Sequence, residues 1–189
     1  MHGSLAAGSA DALSDIDLRV DLRPGITDRA YFLELPDVMD SVGPRLIDGM
    51  SFAALPAYAG TFYFEGVPLL WHVDVGVIPA DAAGHVDSAD LLTVQRWEQR
   101  FKMWIEAVKR CLRAANPSAD RDASIAFDTY LADMKARIAK RIDTSPVAGT
   151  PSHQLSMLLD MEIAWHRGRG IGSARVFEAC DALRRDVLG

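Results

Sequence analysis

Cysteine is scarce, with two residues, Cys111 and Cys180, in a chain of 189. That leaves no disulfide framework and no Cys-rich zinc spacing, and both thiols fall on the apolar side of helical patterns, where a small buried hydrophobe belongs. The five histidines include no pair at i, i+4, so a helical His-His metal pair is missing too. No run of Lys or Arg exceeds two residues and the net charge is −6, which argues against an extended nucleic-acid-gripping face. The acidic balance suits a neutral or cationic small substrate. Apolar stretches fall short of a membrane span and the first residues carry no signal-peptide pattern, so a cytoplasmic location is expected. No repeat or low-complexity segment occurs.

What the chain does have is 49% hydrophobic residues, enough for a buried core, and a change of pattern near residue 85. Before it lie strand-like runs at 15–22, 61–64 and 70–78, broken by Pro24-Gly25, Gly43-Pro44 and Pro56. The stretch TFYFEGVPLLWHVDVGV reads as a β-hairpin turning near Glu65-Gly66. Between 28 and 50, Tyr31, Leu33 and Leu35 alternate, and a short helix over 37–47 would fit an α/β layer. After Val86 the apolar spacing predicts four helices, at 88–115, 121–142, 152–166 and 173–188. Asp87 or Ser88 would cap the first and Pro117 would stop it. Gly168, Gly170 and Gly172 would separate the last two. The expectation is an α+β protein, a small mixed sheet in residues 1–86 with a C-terminal helical bundle in 87–189.

The chemistry concentrates in GSLAAGSADALSDIDLRV, residues 3–20. On a strand Asp15 and Asp17 project to one side, while Ile16 and Leu18 point the other way into a core. Paired like charges need an offset, and oxygen ligands suit Mg²⁺ or Mn²⁺. Asp74 is the lone carboxylate in the second strongly β-like run, and three acids on adjacent strands would allow two metals. His72, two residues before Asp74, shares its face, within reach of a nucleotide. The Gly3-Ser4 pair can approach a phosphate closely, with a short helix over 5–13 presenting its positive end. A bland reading also exists: a turn at Ser14-Asp15, a solvent-facing Asp17 and an edge-strand charge at Asp74. The apolar residues flanking Asp74 suit an inner strand, where a carboxylate needs a partner.

A Gly-Ser pair, about ten residues, Asp-x-Asp and a later strand acid together resemble the signature of nucleotidyltransferases of the DNA polymerase β type. Gly3, Ser4, Asp15, Asp17 and Asp74 match it, and the flanking Ala6, Gly8, Ala10 and Asp11 are similar to the small bacterial branch that includes antibiotic nucleotidyltransferases. The resemblance implies a nucleotidyltransferase core with Asp15, Asp17 and Asp74 as metal-binding and catalytic residues and Gly3 and Ser4 as nucleotide-binding ones. It implies Mg²⁺ or Mn²⁺, ATP or another nucleoside triphosphate, and a small hydroxylated acceptor such as an aminoglycoside or lincosamide. Self-association as a homodimer stays open. The family places a helix and a strand before Gly-Ser, whereas Met1 and His2 alone precede Gly3 here, so a start codon further upstream is expected. The bundle resembles that of kanamycin- and lincosamide-type enzymes, which implies a triphosphate contact from Lys102 or Lys109. Arg167 and Arg169 could also meet an anion. Two alternatives stand beside this: a minimal nucleotidyltransferase that modifies a protein or RNA, as in toxin-antitoxin pairs, and a nucleotide-binding relative without catalysis.

Overall fold

Alternation of apolar and polar side chains builds a sheet with two unlike faces. The computed structural model describes residues 3–47, 58–81, 96–116, 121–170 and 174–188. In the first part, α1 (Gly3–Ala7) leads to β1 (Ile16–Asp21), α2 (Asp28–Asp40), β2 (Arg45–Ile47), β3 (Tyr58–Phe64) and β4 (Val73–Ile78). The strands form one four-stranded mixed sheet in the order β1-β4-β3-β2. β1 runs parallel to β4, and β3 lies antiparallel to β4 and to β2. The expected hairpin is there: Val67 N–H donates to the Phe64 carbonyl at 3.3 Å, and Gly66 takes φ of 77°, the left-handed value that position i+2 of a type II turn requires.

Register decides which residues share a face. Val73, Val75 and Val77 of β4 stand with Phe62 and Phe64 of β3 and Val20 and Leu22 near the end of β1, and α2 closes over them with Leu35 and Met39. Tyr31, Leu35 and Met39 recur every fourth residue, the stripe of a helix facing a sheet. The expected helix over 37–47 is therefore corrected: the helix runs 28–40 and a strand occupies 45–47. The alternation of Tyr31, Leu33 and Leu35 misled because Leu33 is 52% exposed and belongs to the outer side of α2, and because Pro36, internal to the helix, reads as a breaker. A second correction concerns Ile16 and Leu18. Both point to the α2 side, but β1 is the edge of this sheet and α2 packs on β3 and β4, which leaves them 41% and 36% exposed.

Four helical segments follow at the expected places: α3 (Arg96–Ala115), α4 (Arg121–Ala139), α5 (Pro151–Arg167) and α6 (Ala174–Leu183), the last continuing into one π-helical turn over Arg184–Leu188. The expected start of α3 near Ser88, with its cap at Asp87 or Ser88, lies outside the described residues, as do Pro56, Pro117 and Gly172. Two compact units result, residues 1–102 and 103–189, dividing within α3 and past the change of pattern near residue 85. Among the described residues no helix is long and apolar enough to cross a membrane.

The second unit buries Trp104, Ile105, Phe127, Leu131, Leu158 and Cys180 among its apolar side chains. Its one fully buried carboxylate among the described residues, Glu162, accepts from Trp104 Nε1 at 2.8 Å and pairs with the Arg141 guanidinium, so the charge is matched where water is excluded. Thr150 caps α5, with Pro151 in its first turn. Cys111 and Cys180 are free and buried as expected. Burial pushes the Cys180 thiol up to about 12, so it stays protonated and unreactive.

Phe62 lies wholly inside the sheet–helix core. Phe62→Ala is expected to cost about 3–5 kcal/mol in urea titration, against a change within about 0.5 kcal/mol for the outward Leu33→Ala. Equal losses at the two positions would contradict this assignment of faces.

Candidate metal centre

The face of the sheet away from α2 carries the charged groups. Asp17 is the register partner of Asp74 across the parallel β1–β4 pair, and Thr61 of β3 partners Asp74 from the other side. Residues in register project to the same side of a sheet, so Asp17, Asp74 and Thr61 share this face. The Ile16 N–H donates to the His72 carbonyl at 3.0 Å, extending the pairing one step and setting Asp15 beside His72.

Local structure aims the two loops that deliver these residues. Asp11 accepts from the Leu13 N–H at 3.0 Å and from the Ser14 hydroxyl at 2.9 Å, a tight Asx turn that feeds the chain into β1. On the other side, the Trp71 indole N–H donates to the Ala12 carbonyl at 2.7 Å. That bond ties the approach to β4 onto the approach to β1, immediately before His72 and Asp15.

His72 Nε2 stands 2.8 Å from Asp15 Oδ2 and 3.7 Å from Asp74 Oδ2. One ligand atom from each of Asp15, His72 and Asp74 lies within 4.8 Å of the other two, close enough to hold a single metal ion. Ligands at roughly 2.1 Å from an ion stand about 3–4 Å from one another, so the cluster would need only small contraction. The imidazole is fully buried, whereas the Asp15 and Asp74 side chains keep 24% and 20% of their exposure, which leaves a way in for a cation. Tyr63 packs on His72 with ring centroids 5.3 Å apart and meets Phe101 edge-on at 5.1 Å, walling the imidazole on that side.

Asp74 is held by donors from two further elements. Thr61 Oγ1 donates to its Oδ1 at 2.6 Å, and Lys102 Nζ, from the first turns of α3, donates to its Oδ2 at 2.5 Å. Burial on its own would raise this carboxyl. Hydrogen bonding to His72 and the Lys102 charge more than offset it and hold the group down at about 2, below the ordinary 3.8.

The structure brings Asp15 and Asp74 together and places Asp17 on the same face, opposite Asp74 but outside the group of three whose ligand atoms converge. Gly3 and Ser4 are found differently from expectation. They form the first turn of α1 itself, not a bend ahead of a helix over 5–13. That helix ends at Gly8, where φ is 70° and the Ser9 N–H donates to the Ser4 carbonyl at 3.0 Å, a Schellman-type stop. α1 packs on β1.

Among the basic candidates, Lys102 sits on Asp74 and Lys109 is buried, 1% exposed, in the second unit. Arg167 pairs with Asp181 at 2.7 Å, and the Arg169 guanidinium lies 4.1 Å over the Trp165 ring. Of the expected aromatic stripe, Phe101 and Trp104 are core, and the Trp97 side chain lies outside what is described. Sequence parity put His72 on the face of Asp74, but its approach to Asp15 follows from strand register, which no local pattern carries. Thr61 gave no signal of its own. No family model, curated protein or solved structure matches this chain.

A carboxylate whose folded pKa is depressed contributes stability that is complete above its unfolded value and is lost as pH falls through the folded one. For Asp74 the contribution is about 2 kcal/mol at neutral pH, disappearing as pH falls from the ordinary 3.8 to about 2. Urea titrations of the wild type and Asp74→Asn should show a stability gap of that size at neutral pH that closes over this range. A gap independent of pH would show that the Asp74 charge is not what the neighbours stabilise.

Proposed function

We propose that the protein is a divalent-metal-dependent nucleotidyltransferase of the DNA polymerase β type, acting in the cytoplasm. It moves a nucleoside monophosphate, AMP from ATP, onto a hydroxyl of a small molecule such as an aminoglycoside or lincosamide. The observation that carries this reading is the pairing of Asp17 with Asp74 in register on adjacent parallel strands, with Asp15 on the same face and within metal-binding distance of Asp74. It joins the Gly3-Ser4 and Asp-x-Asp pattern, in which Asp15, Asp17 and Asp74 would hold the cation and Gly3 and Ser4 would meet the phosphates.

When bound, the divalent ion supplies charge neutralisation for the triphosphate and acidifies an oxygen that it coordinates. The acceptor oxygen attacks the α-phosphorus, the bond from that phosphorus to the bridging oxygen breaks, and pyrophosphate leaves while the hydroxyl proton passes to water. Asp74 is a poor proton acceptor with a pKa of about 2. Its part is to hold positive charge, with Thr61 fixing the plane of its carboxylate. Asp17, opposite it, adds negative charge where the triphosphate's counter-ion must sit, so the residues act by positioning and electrostatics.

Incubation of the full chain with ATP, Mg²⁺ or Mn²⁺ and a panel of aminoglycosides and lincosamides should give a product heavier by one AMP and an equivalent of pyrophosphate. Asp15→Asn and Asp17→Asn should each reduce turnover by about a thousandfold or more with little loss of thermal stability. Turnover retained in either variant would refute the assignment. Lys102 seated on Asp74 favours a second reading, a nucleotide-binding relative without catalysis. That reading predicts ATP binding with no product for any acceptor.

A further inference from the structure

We infer that His72 is itself a ligand of this cation site, which therefore takes a first-row transition ion, Mn²⁺ or Zn²⁺, in preference to Mg²⁺. We infer too that Lys102 holds the cation's place on Asp74 until one binds. The inference deepens the proposed function, because it concerns the cation that the reaction would use.

Three observations carry it. The first is convergence. One ring nitrogen, His72 Nε2, faces both Asp15 Oδ2 at 2.8 Å and Asp74 Oδ2 at 3.7 Å, so two oxygens and one nitrogen surround a common point. The second is placement. The imidazole is fully buried and walled by Tyr63, so its orientation is fixed by packing, while the two carboxylates reach solvent and leave an entry path. The third is charge: a lysine ammonium already pairs with a carboxylate oxygen of the cluster. The Lys102 ammonium lies 2.5 Å from Asp74 Oδ2 on a side chain that is 30% exposed and long enough to swing away.

The donor set decides the class of ion. Mg²⁺ is hard, favours oxygen and gives up its water reluctantly, so an imidazole adds little to its binding. Nitrogen strengthens binding along the series from Mn²⁺ toward Zn²⁺, and two carboxylates with one imidazole is a set that both ions accept. The oxygen-only set of Asp15, Asp17 and Asp74 expected from sequence would give a smaller preference and no nitrogen coupling. The contrasting arrangement is an ion network complete in itself, in which His72 and Lys102 only neutralise the acids and no metal enters.

The test is isothermal titration of the metal-stripped full chain with Mn²⁺, Zn²⁺ and Mg²⁺, one salt at a time and with no nucleotide. We expect one site, bound about tenfold or more tightly by Mn²⁺ and Zn²⁺ than by Mg²⁺. His72→Asn should weaken Mn²⁺ and Zn²⁺ by about tenfold or more and Mg²⁺ by less than about threefold. Lys102→Met should tighten all three by a similar factor. Because His72 is buried and its replacement could disturb folding, the wild type loaded with Mn²⁺ supplies a second readout: pulsed electron paramagnetic resonance should show nitrogen coupling from a coordinated imidazole. No binding of any of the three ions, Mg²⁺ bound as tightly as Mn²⁺, or Mn²⁺ bound without nitrogen coupling would each overturn the inference. Nitrogen-coupled Mn²⁺ in a chain that transfers no nucleotide would refute the proposed reaction and leave this site standing. Nucleotide transfer supported by Mg²⁺, together with Mn²⁺ bound without nitrogen coupling, would do the reverse.

Discussion

The parallel, in-register pairing of β1 with β4 is the constraint on which the rest of this site depends. It sets Asp17 against Asp74 and Asp15 against His72, and it leaves no freedom to separate them without unpairing the strands. Two unit charges about 5 Å apart repel by roughly 3 kcal/mol at an effective dielectric constant near 20, and by less where water reaches them. The surroundings answer that repulsion with a hydroxyl from β3, an ammonium from α3 and an imidazole from the strand approach itself. Thr61 donates a hydrogen bond to Asp74, and Lys102 and His72 bring groups that can carry positive charge beside it.

The apolar side of the same strands makes this charge density affordable. Val73, Val75 and Val77 alternate with His72, Asp74 and Gly76, so a slip of one residue would bury the acids under α2 and expose the valines. The choice of register that builds the core is thus the choice that assembles the candidate centre. One apolar pattern fixes both, which is why a charged cluster can persist beside a core that contributes the stabilising energy.

Features that repeat along the chain were legible in the sequence, and features that depend on distant pairing were not. The strands bearing Asp17 and Asp74, the turn at Gly66 and the spans of α4 and α5 follow from local periodicity and turn chemistry. α2 did not, because Leu33 lies on its outer side and Pro36 sits within it. Ile16 and Leu18 were expected in a core by parity alone. Parity assigns a side, but it cannot say that β1 is an edge strand beyond the cover of α2. His72 shows the same divide: its shared face with Asp74 was readable, and its proximity to Asp15 was not. Lys102 lies 28 residues beyond Asp74 on a helix, a contact that no spacing rule anticipates.

The depressed pKa of Asp74 and the ammonium seated on it describe a centre that is charge-compensated before any ligand arrives. A divalent ion entering such a site exchanges with Lys102 rather than filling a bare anionic hole, so the net gain is the difference between two cation–carboxylate contacts and is smaller than either. Exchange also leaves the displaced ammonium close by, in a position to meet an anion brought in with the ion. On the proposed function, a metal-bound triphosphate, which carries both a cation and surplus negative charge, would satisfy the carboxylates and the released lysine together. A metal ion alone would leave that lysine unanswered, so under the proposed function the metal–nucleotide complex is expected to bind better than its separate parts.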